Sequence, residues 1–253
     1  MKSSHLRTVA SRGPGGEQVT PRIDGHQHFW KYRPDEFPWI GDGMEAIRRD
    51  FLPGDLEAEL HAAGIDGAVT VQARQNLVET TWLLDLSEQH GFLRGVVGWV
   101  PLTEPAIAQV IENLASRTRL KGVRHILHDE PDDGYMLRAD FNAGISLLRR
   151  FHLADDILIF ERHLPQTLQF VDRHPNQVFV LDHIGKPRIR ERVLSPWRES
   201  ITDLARRENV YCKLSGVVTE AARKSWTPEV RVSERQWLRG ATALEAYRLN
   251  GEK

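Results

Sequence analysis

From Pro21 onward, short apolar runs alternate with longer segments that carry apolar side chains at every third or fourth position. Short runs are typical of buried strands, and the longer spacing is typical of amphipathic helices. The predicted strands are Arg22–His28, Asp66–Gln72, Arg94–Pro101, Gly122–Leu127, Asp156–Arg162, Val178–His183 and Asn209–Ser215. The predicted helices are Leu56–Ala63, Glu79–Gln89, Ile107–Ser116, Asn142–Phe151, Leu164–Arg173 and Trp197–Arg207. This alternation predicts an α/β fold with a parallel sheet, a (β/α)8 barrel of the TIM type.

Five of the predicted strands end in polar side chains that a buried strand would not select. They are His26 and His28 on strand 1, Gln72, Arg74 and Gln75 on strand 2, Arg124, His125 and His128 on strand 4, Arg162 and His163 on strand 5, and Asp182, His183 and Lys186 on strand 6. Barrels of this kind carry their active site at the C-terminal ends of the strands. We therefore predict that these polar groups surround one mouth of the barrel.

The histidines are the first candidates for chemistry. Residues two apart in a strand share a face, so His26 and His28 project together and suit a metal or a polarised carbonyl. A lone pair of this spacing is also common on protein surfaces, but the other polar strand ends favour a site. His183 follows a buried apolar run and is predicted to join the pair. Three imidazole ligands with one open position would suit zinc.

Two arginines, Arg124 and Arg74, are candidate clamps for a substrate. A guanidinium offers a planar fork to carboxylate and hydroxyl oxygens. Either arginine could instead pair with a structural carboxylate such as Asp182 or Asp24. Arg124 and His125 are adjacent in a strand and point to opposite faces, so only one of them can face the barrel interior.

Composition narrows the classes of partner. The chain has 34 Lys and Arg against 35 Asp and Glu, a net charge of -1, which gives no attraction to nucleic acid or to a membrane. Cys212 is the only cysteine, so an intramolecular disulfide cannot form. Residues 1–20 lack the apolar run of a signal peptide and are predicted to be a disordered leader before one domain, residues 21–253. We expect a cytoplasmic protein.

Several motifs together resemble one family. They are Ile23-Asp24-Gly25-His26-Gln27-His28-Phe29-Trp30 with Pro38-Trp39-Ile40, Gly122-Val123-Arg124-His125 with Asp129-Glu130-Pro131, Phe160-Glu161-Arg162-His163-Leu164-Pro165, Leu181-Asp182-His183-Ile184-Gly185-Lys186-Pro187 and Cys212-Lys213-Leu214-Ser215-Gly216. In this order they resemble the amidohydrolase-related family (amidohydrolase 2), in the sugar-lactonase branch that includes L-fuconolactonase and L-rhamnonolactonase. The resemblance covers roughly residues 21 to 228.

The resemblance implies a hydrolase that opens a sugar lactone to its acid, in the catabolism of a sugar such as fucose. It places His26, His28 and His183 around the lactone carbonyl or a metal. The predicted substrate-binding residues are Trp30, Gln72, Arg74, Gln75, Arg124 and His163. The branch includes lactonases that need no metal, so no cofactor is expected to be required, with one zinc ion as the alternative. A metal-dependent amidohydrolase or decarboxylase of the same superfamily, or a non-catalytic remnant, remain open alternatives.

One expected motif is missing. The resemblance implies a water-activating aspartate at the end of strand 8, within Gly-Ser-Asp-Trp-Pro, and this sequence contains no such segment. After Pro228 the pattern instead predicts a helix, with Ser233 and Gln236 placed as a capping box. We therefore expect a barrel without strand 8, from a truncated or frame-shifted product or from a short protein completed by a partner chain. Impaired activity, and association through open edges, are the expected consequences.

Overall fold

The computed structural model describes residues 20–221 and 246–248, and within them seven strands form one sheet. The strands are β1 (Ile23–Gln27), β2 (Gly67–Val71), β3 (Leu93–Gly98), β4 (Leu120–His125), β5 (Ala154–Ile157), β6 (Phe179–Leu181) and β7 (Val210–Cys212). Their order in the sheet follows their order in the chain, and each neighbouring pair is parallel. The result is a curled sheet with helical connections, consistent with a (β/α)8 barrel of which seven strands lie in the described residues.

The helices fall between the strands, as the apolar spacing predicts. They are α1 (Pro53–Ala63), α2 (Leu77–Gln89), α3 (Ile107–Ala115), α4 (Ala139–Leu148), α5 (Leu164–Arg173), α6 (Trp197–Leu204) and the short α7 (Val217–Glu220). Local chemistry fixes several ends. Asn76 caps α2 by accepting a hydrogen bond from the Glu79 amide at 2.7 Å, which satisfies a donor that the helix cannot use. Helix α1 begins with a proline and ends before Gly64, which is left-handed with φ 62°.

Apolar side chains are buried on both faces of the sheet. Between the sheet and the helices, Leu83, Ile111, Phe141 and Phe170 are fully buried, and each stabilises the fold by about 1.5–3 kcal/mol relative to exposure. The barrel interior holds a second set, which consists of Ile23, Val69, Val71, Val97, Ala154, Val180, Ala246 and Tyr247. Burial on both faces explains why the strands have near-continuous apolar sequences.

The fifth strand is the clearest error of the sequence prediction. It was expected over Asp156–Arg162, but β5 runs from Ala154 to Ile157 and the apolar residues after it belong to the following loop. The cause is that Asp155 and Asp156, each 1% exposed, lie inside the strand. Buried carboxylates are rare unless they are paired, so hydropathy alone excludes Asp155 from the strand and extends the strand through the apolar run that follows Asp156.

Some predictions concern parts of the chain that the structure does not describe. The expected leader over residues 1–20 lies outside the described residues except for Thr20, and so does the expected helix with Ser233 and Gln236. Within the described ranges, none of the helices has the length and apolar character needed to cross a membrane.

Candidate active site

The C-terminal ends of several strands bring charged and imidazole side chains together inside the barrel mouth. We call this group the central cluster; its members are His26, His28, Arg124, Asp156, Asp182, His183 and Lys213. The rings of His26 and His183 are 4.5 Å apart between centroids, and those of His26 and His28 are 4.8 Å apart. The three histidines singled out in the sequence therefore lie in one place.

Asp182 is the anionic centre of the cluster. Its side chain is fully buried, and it accepts a hydrogen bond from Arg124 Nη1 at 2.8 Å on one oxygen. Its other oxygen lies 3.0 Å from Lys213 Nζ. Burial alone would raise the pKa of Asp182, but Lys213, His26 and Arg124 outweigh it and hold that pKa well below the usual range. Asp182 is therefore an ionised carboxylate that two cations share.

Asp156 forms a second anionic position below the first. It accepts hydrogen bonds from Lys213 Nζ and from the hydroxyl of Tyr247, the latter at 2.9 and 2.8 Å to its two oxygens. Burial raises the pKa of Asp156 to about 6, although Lys213 acts in the opposite direction. Sequence analysis missed Asp156, Lys213 and Tyr247. An aspartate next to an apolar run was the only signal for Asp156.

The hydrogen bonds of His26 and His28 determine which nitrogens carry their protons. His28 Nδ1 lies 2.8 Å from the carbonyl oxygen of Val71, which can only accept, so His28 is protonated on Nδ1. Its Nε2 is then an acceptor, and His26 Nε2, 3.1 Å away, must donate to it. His26 Nδ1 is left as an acceptor for Lys213 Nζ at 3.3 Å. A directed chain thus runs from Lys213 through both imidazoles to Val71.

His26 and His28 are both neutral near pH 7. Burial lowers the pKa of His28 to about 3, and the positive charge of Arg124 acts in the same direction. Burial also places the pKa of His26 well below its usual value, although Asp182 opposes that shift. Neutral imidazoles with defined tautomers can accept a proton or bind a metal.

His183 reaches the cluster from an unusual turn. It follows β6, and residues 183–186 are all left-handed, with φ of 54°, 49°, 69° and 46°. Such a backbone is costly for residues other than glycine and persists only where the surroundings hold it. Here Ile184 is held on both sides, because its amide donates to the Lys213 carbonyl at 3.2 Å and its carbonyl accepts from Trp197 Nε1 at 2.7 Å. The turn directs the His183 ring towards His26.

The environment of the His183 ring defines its chemistry. Its Nδ1 lies 2.8 Å from the Ser215 hydroxyl. Burial, together with the charges of Arg124 and Lys186, lowers its pKa to about 4, although Asp182 acts in the opposite direction. Gly216 lies against the ring, since a Cβ at that position would come within 2.7 Å of His183 Cβ and Cγ. The Ser215-Gly216 pair therefore both orients and makes room for His183.

Two predicted substrate-binding residues lie in or beside the cluster and are already engaged. Gln72 is fully buried, and its amide donates to the Arg124 carbonyl at 3.1 Å. Arg124 in turn donates to the Gln72 side-chain oxygen at 3.1 Å as well as to Asp182. Of the two acidic partners considered for Arg124, the structure selects Asp182 over Asp24. A direct contact of Gln72 or Arg124 with substrate stays a prediction.

The remaining predicted substrate-binding residues pair outside the cluster. Arg74 forms ion pairs with Glu36 and Glu79, and His163 Nε2 lies 2.8 Å from Asp133. The side-chain oxygen of Gln75 accepts a hydrogen bond from the backbone at residue 126 at 2.7 Å, and Trp30 Nε1 donates to the carbonyl of residue 49 at 2.9 Å. Their role in binding substrate also stays a prediction. On β4, His125 turns away from Arg124 and contacts Glu130 at 2.6 Å.

The donors that could hold a metal are His26, Asp182 and His183. Their ligand atoms lie within 4.8 Å of one another, and two imidazole nitrogens with a carboxylate are ligands that zinc accepts. Asp182 Oδ1 is buried without a hydrogen bond of good geometry, so it has an unused lone pair. These three residues supply ligand types that a divalent cation accepts, but Lys213 Nζ already lies 3.0 Å from Asp182 Oδ1 and 3.3 Å from His26 Nδ1. The predicted ligand set of His26, His28 and His183 stays a prediction.

Comparison with known proteins agrees with this architecture. The model of the amidohydrolase family matches residues 23–241. An L-fucono-1,5-lactonase from Burkholderia multivorans is 39% identical over 234 residues, which covers 89% of this chain and 78% of that protein. An L-fucono-1,5-lactonase from Burkholderia ambifaria is 37% identical over 203 residues, covering 80% of this chain and 70% of that protein. The crystal structure of an amidohydrolase from Burkholderia multivorans with bound zinc superposes with a TM-score of 0.78 at 39% identity, over 90% of this chain and 81% of that chain.

Proposed function

This chain belongs to the amidohydrolase family, and from that premise we propose that it is a hydrolase that opens a sugar lactone to the open-chain acid. L-Fucono-1,5-lactone or a related aldonolactone is the proposed substrate, because two relatives at 39% and 37% identity are L-fucono-1,5-lactonases. The observation that carries the proposal is the convergence of His26, Asp182 and His183 within 4.8 Å at the barrel mouth. Cytoplasmic location and a role in fucose catabolism belong to the same proposal.

The proposed reaction is attack of water on the lactone carbonyl. The water oxygen bonds to the carbonyl carbon, the ring carbon–oxygen bond breaks, and the released ring oxygen takes a proton to become a hydroxyl. His183 is the proposed proton acceptor, because its pKa of about 4 keeps it neutral and Ser215 engages only Nδ1. A metal held by His26, Asp182 and His183 would instead supply carbonyl polarisation and lower the pKa of the attacking water, and it would take the lone pair with which His183 otherwise accepts the proton.

Positive charge beside the carbonyl is the second element of the proposal. Arg124 and Lys213 are both buried, at 3% and 9% exposure, and both contact Asp182. Fixed charges in a water-poor site stabilise the negative oxygen that develops during attack more than they would in water. The neutral sugar ring is proposed to bind at the rim, with Trp30, Gln72, Arg74, Gln75, Arg124 and His163 as the proposed contacts.

An aromatic position at the rim extends this proposal. Phe160 has the His128 ring at 4.6 Å and Lys186 Nζ at 5.0 Å from its ring centre. Burial and the charge of Lys186 lower the pKa of His128 to about 3, so His128 is neutral near pH 7. We propose that His128 and Lys186 contact the sugar hydroxyls and that Phe160 contacts the apolar face of the sugar ring.

The test is direct turnover by the purified 253-residue chain. Acid release from L-fucono-1,5-lactone and from other aldonolactones would be followed with a pH indicator, with and without added zinc, beside a His183→Ala variant. We expect release that His183→Ala abolishes. Release at the uncatalysed rate by both proteins would contradict the proposal. Turnover of an amide or a carboxylic acid, but not of any lactone, would assign the chain to the amidohydrolase or decarboxylase alternative.

We also propose that these 253 residues by themselves turn over the lactone slowly, because they contain no Gly-Ser-Asp-Trp-Pro segment to supply a strand-8 aspartate. General-base assistance contributes about 10²–10⁴-fold, and His183 with a pKa of about 4 is a weak substitute. A chain extended with that segment should turn over faster by a factor in this range. The same extension with Asn in place of Asp is the matched control and should give no gain.

A further inference from the structure

Lys213 occupies an unexpected position for a site that can hold a metal. Its Nζ lies 3.0 Å from Asp182 Oδ1 and 3.3 Å from His26 Nδ1, two atoms of the candidate ligand residues. It also donates to Asp156, and it lies 5.3 Å from the centre of the Tyr247 ring. The atoms that bind a zinc ion lie about 2.0–2.2 Å from it. An ammonium within 3.3 Å of two such atoms therefore lies next to the space that a metal would need.

The buried charges of the cluster balance without a metal. Arg124 and Lys213 contribute two positive charges, and Asp156 and Asp182 contribute two negative charges. A divalent cation among them would leave two uncompensated positive charges in a buried site, which is unfavourable. Displacing Lys213 would in turn leave Asp156 with the Tyr247 hydroxyl as its remaining hydrogen-bond partner among the described residues.

Lys213 also determines the tautomer of His26. As the donor to His26 Nδ1, it requires the His26 proton to be on Nε2, where it is donated to His28. Asp182 Oδ1, 3.4 Å from the same Nδ1, would favour the opposite tautomer, with the proton on Nδ1. The two neighbours of His26 therefore select different protonated nitrogens, and the contact with Lys213 decides between them.

We infer that Lys213 is the resident cation of this site: its ammonium takes the electrostatic place of a divalent metal, fixes the tautomer of His26 and keeps metal binding weak. Lys213 is a positioning residue in this role, since it acts through His26 and Asp182. The inference concerns what occupies the site and is independent of which lactone the site accepts.

The first test measures zinc binding by titration calorimetry on the full chain. Lys213→Met keeps the side-chain length but removes the charge, and we expect zinc to bind at least about tenfold more tightly. Lys213→Gln also removes the charge but can still donate a hydrogen bond to Asp156, and it should show the same gain if Lys213→Met folds poorly. Lys31→Met, at an exposed lysine, is the matched control and should bind zinc as the unmodified chain does. Unchanged or weaker zinc binding in both Lys213 variants would overturn the inference.

The second test reads the tautomer of His26 by 15N NMR on histidine-labelled protein, with the signal assigned from a His26→Asn variant. We expect the proton on Nε2 in the unmodified chain and on Nδ1 in Lys213→Met, where Asp182 becomes the acceptor. The same tautomer in both proteins would contradict the assigned role. Neither measurement uses catalysis, so a failed lactone assay and a failed inference about Lys213 are separate results.

Discussion

Two regions of this barrel use the same residue types in opposite ways. In the central cluster, single groups are shared: Asp182 serves Arg124, Lys213 and His26 at once. On the outer side of β4 and β5 the contacts are local, as His125 contacts Glu130 and His163 contacts Asp133, an acid that Arg162 also reaches from the neighbouring position.

The difference lies in burial and in the acid that is shared. Asp182 has no exposed side-chain surface, whereas Asp133 is 47% exposed. Water can solvate Asp133 and Arg162 when a partner is lost, but an unpaired charge in the cluster remains desolvated. A histidine at a strand end is therefore a stronger candidate for catalysis when it meets buried, shared partners than when it meets an exposed acid.

The largest contrast should appear in activity. His183→Ala removes the proposed proton acceptor and should lower kcat/KM for the lactone by about 10²–10⁴-fold. His125→Ala, in the outer region, should leave kcat/KM within a factor of about three, which is less than 1 kcal/mol. The measurement is steady-state acid release by folded variants. Equal losses in both variants would remove the functional distinction between the regions.

The next contrast concerns stability. Asp182→Asn leaves Arg124 and Lys213 buried with less negative charge, and should lower the free energy of unfolding by about 3–5 kcal/mol. Asp133→Asn should cost about 0–1 kcal/mol, because Arg162 is exposed to water and the Asn side-chain oxygen can still accept a hydrogen bond from buried His163. Urea unfolding followed by circular dichroism gives both values. A loss for Asp133→Asn as large as that for Asp182→Asn would contradict the role assigned to burial.

A pair of glycines tests the packing around His183. Gly216 and Gly43 are both left-handed, with φ of 68° and 80°, but a Cβ at Gly43 would meet no atom within 4 Å. Gly43→Ala should cost about 1–2 kcal/mol of stability from the backbone alone. Gly216→Ala should cost more and should also lower activity, because its Cβ displaces His183. The measurements are urea unfolding and lactone turnover. Full activity in Gly216→Ala would contradict the role of Gly216 in making room for His183.

The last contrast concerns pH. The folded pKa values of His28 and His183 are about 3 and about 4, below the usual histidine value of 6.5, so the unfolded chain binds more protons in acid. Their contribution to stability is complete above pH 6.5 and is lost as pH falls towards 4, at up to about 1.4 kcal/mol per pH unit for each group.

Asp156 acts with the opposite sign. Its folded pKa of about 6 exceeds the usual aspartate value of 3.8, so its contribution to stability decreases as pH rises through that range. Urea unfolding at several values between pH 7.5 and 4.5 should therefore give falling stability, shallower in His183→Gln and steeper in Asp156→Asn. A slope that neither variant changes would contradict these shifts.

Much of the fold was predictable because apolar spacing reports burial directly. The helix over Leu164–Arg173 has the predicted bounds, and the position of His26, His28 and His183 at one mouth follows from strand ends in a parallel sheet. The sequence left Asp182 and Asp24 open as acidic partners of Arg124, because residue spacing does not specify which acid a long side chain reaches.

Lys213 and Tyr247 could not be predicted in the same way. Lys213 directly follows the short strand β7, where a lysine is usually a surface residue. Its burial is explained by the opposite charges of Asp156 and Asp182. Tyr247 lies in a stretch without likeness to the family motifs, and its contact with Asp156 joins positions 91 residues apart. Contacts of this kind depend on the three-dimensional arrangement rather than on local periodicity.

The hydrogen bond from Lys213 to His26 also limits when the site can form. The two residues are 187 positions apart in sequence, so β1 must wait for β7 before this hydrogen bond exists. At a synthesis rate of about 5–20 residues per second, the interval is on the order of 10–40 s. In the last part of this interval, Asp156 and Asp182 have been synthesised but lack the ammonium that balances them. Local helices such as α2 and α5 can form first, because their contacts span few residues. The central cluster is therefore a product of late folding rather than its nucleus.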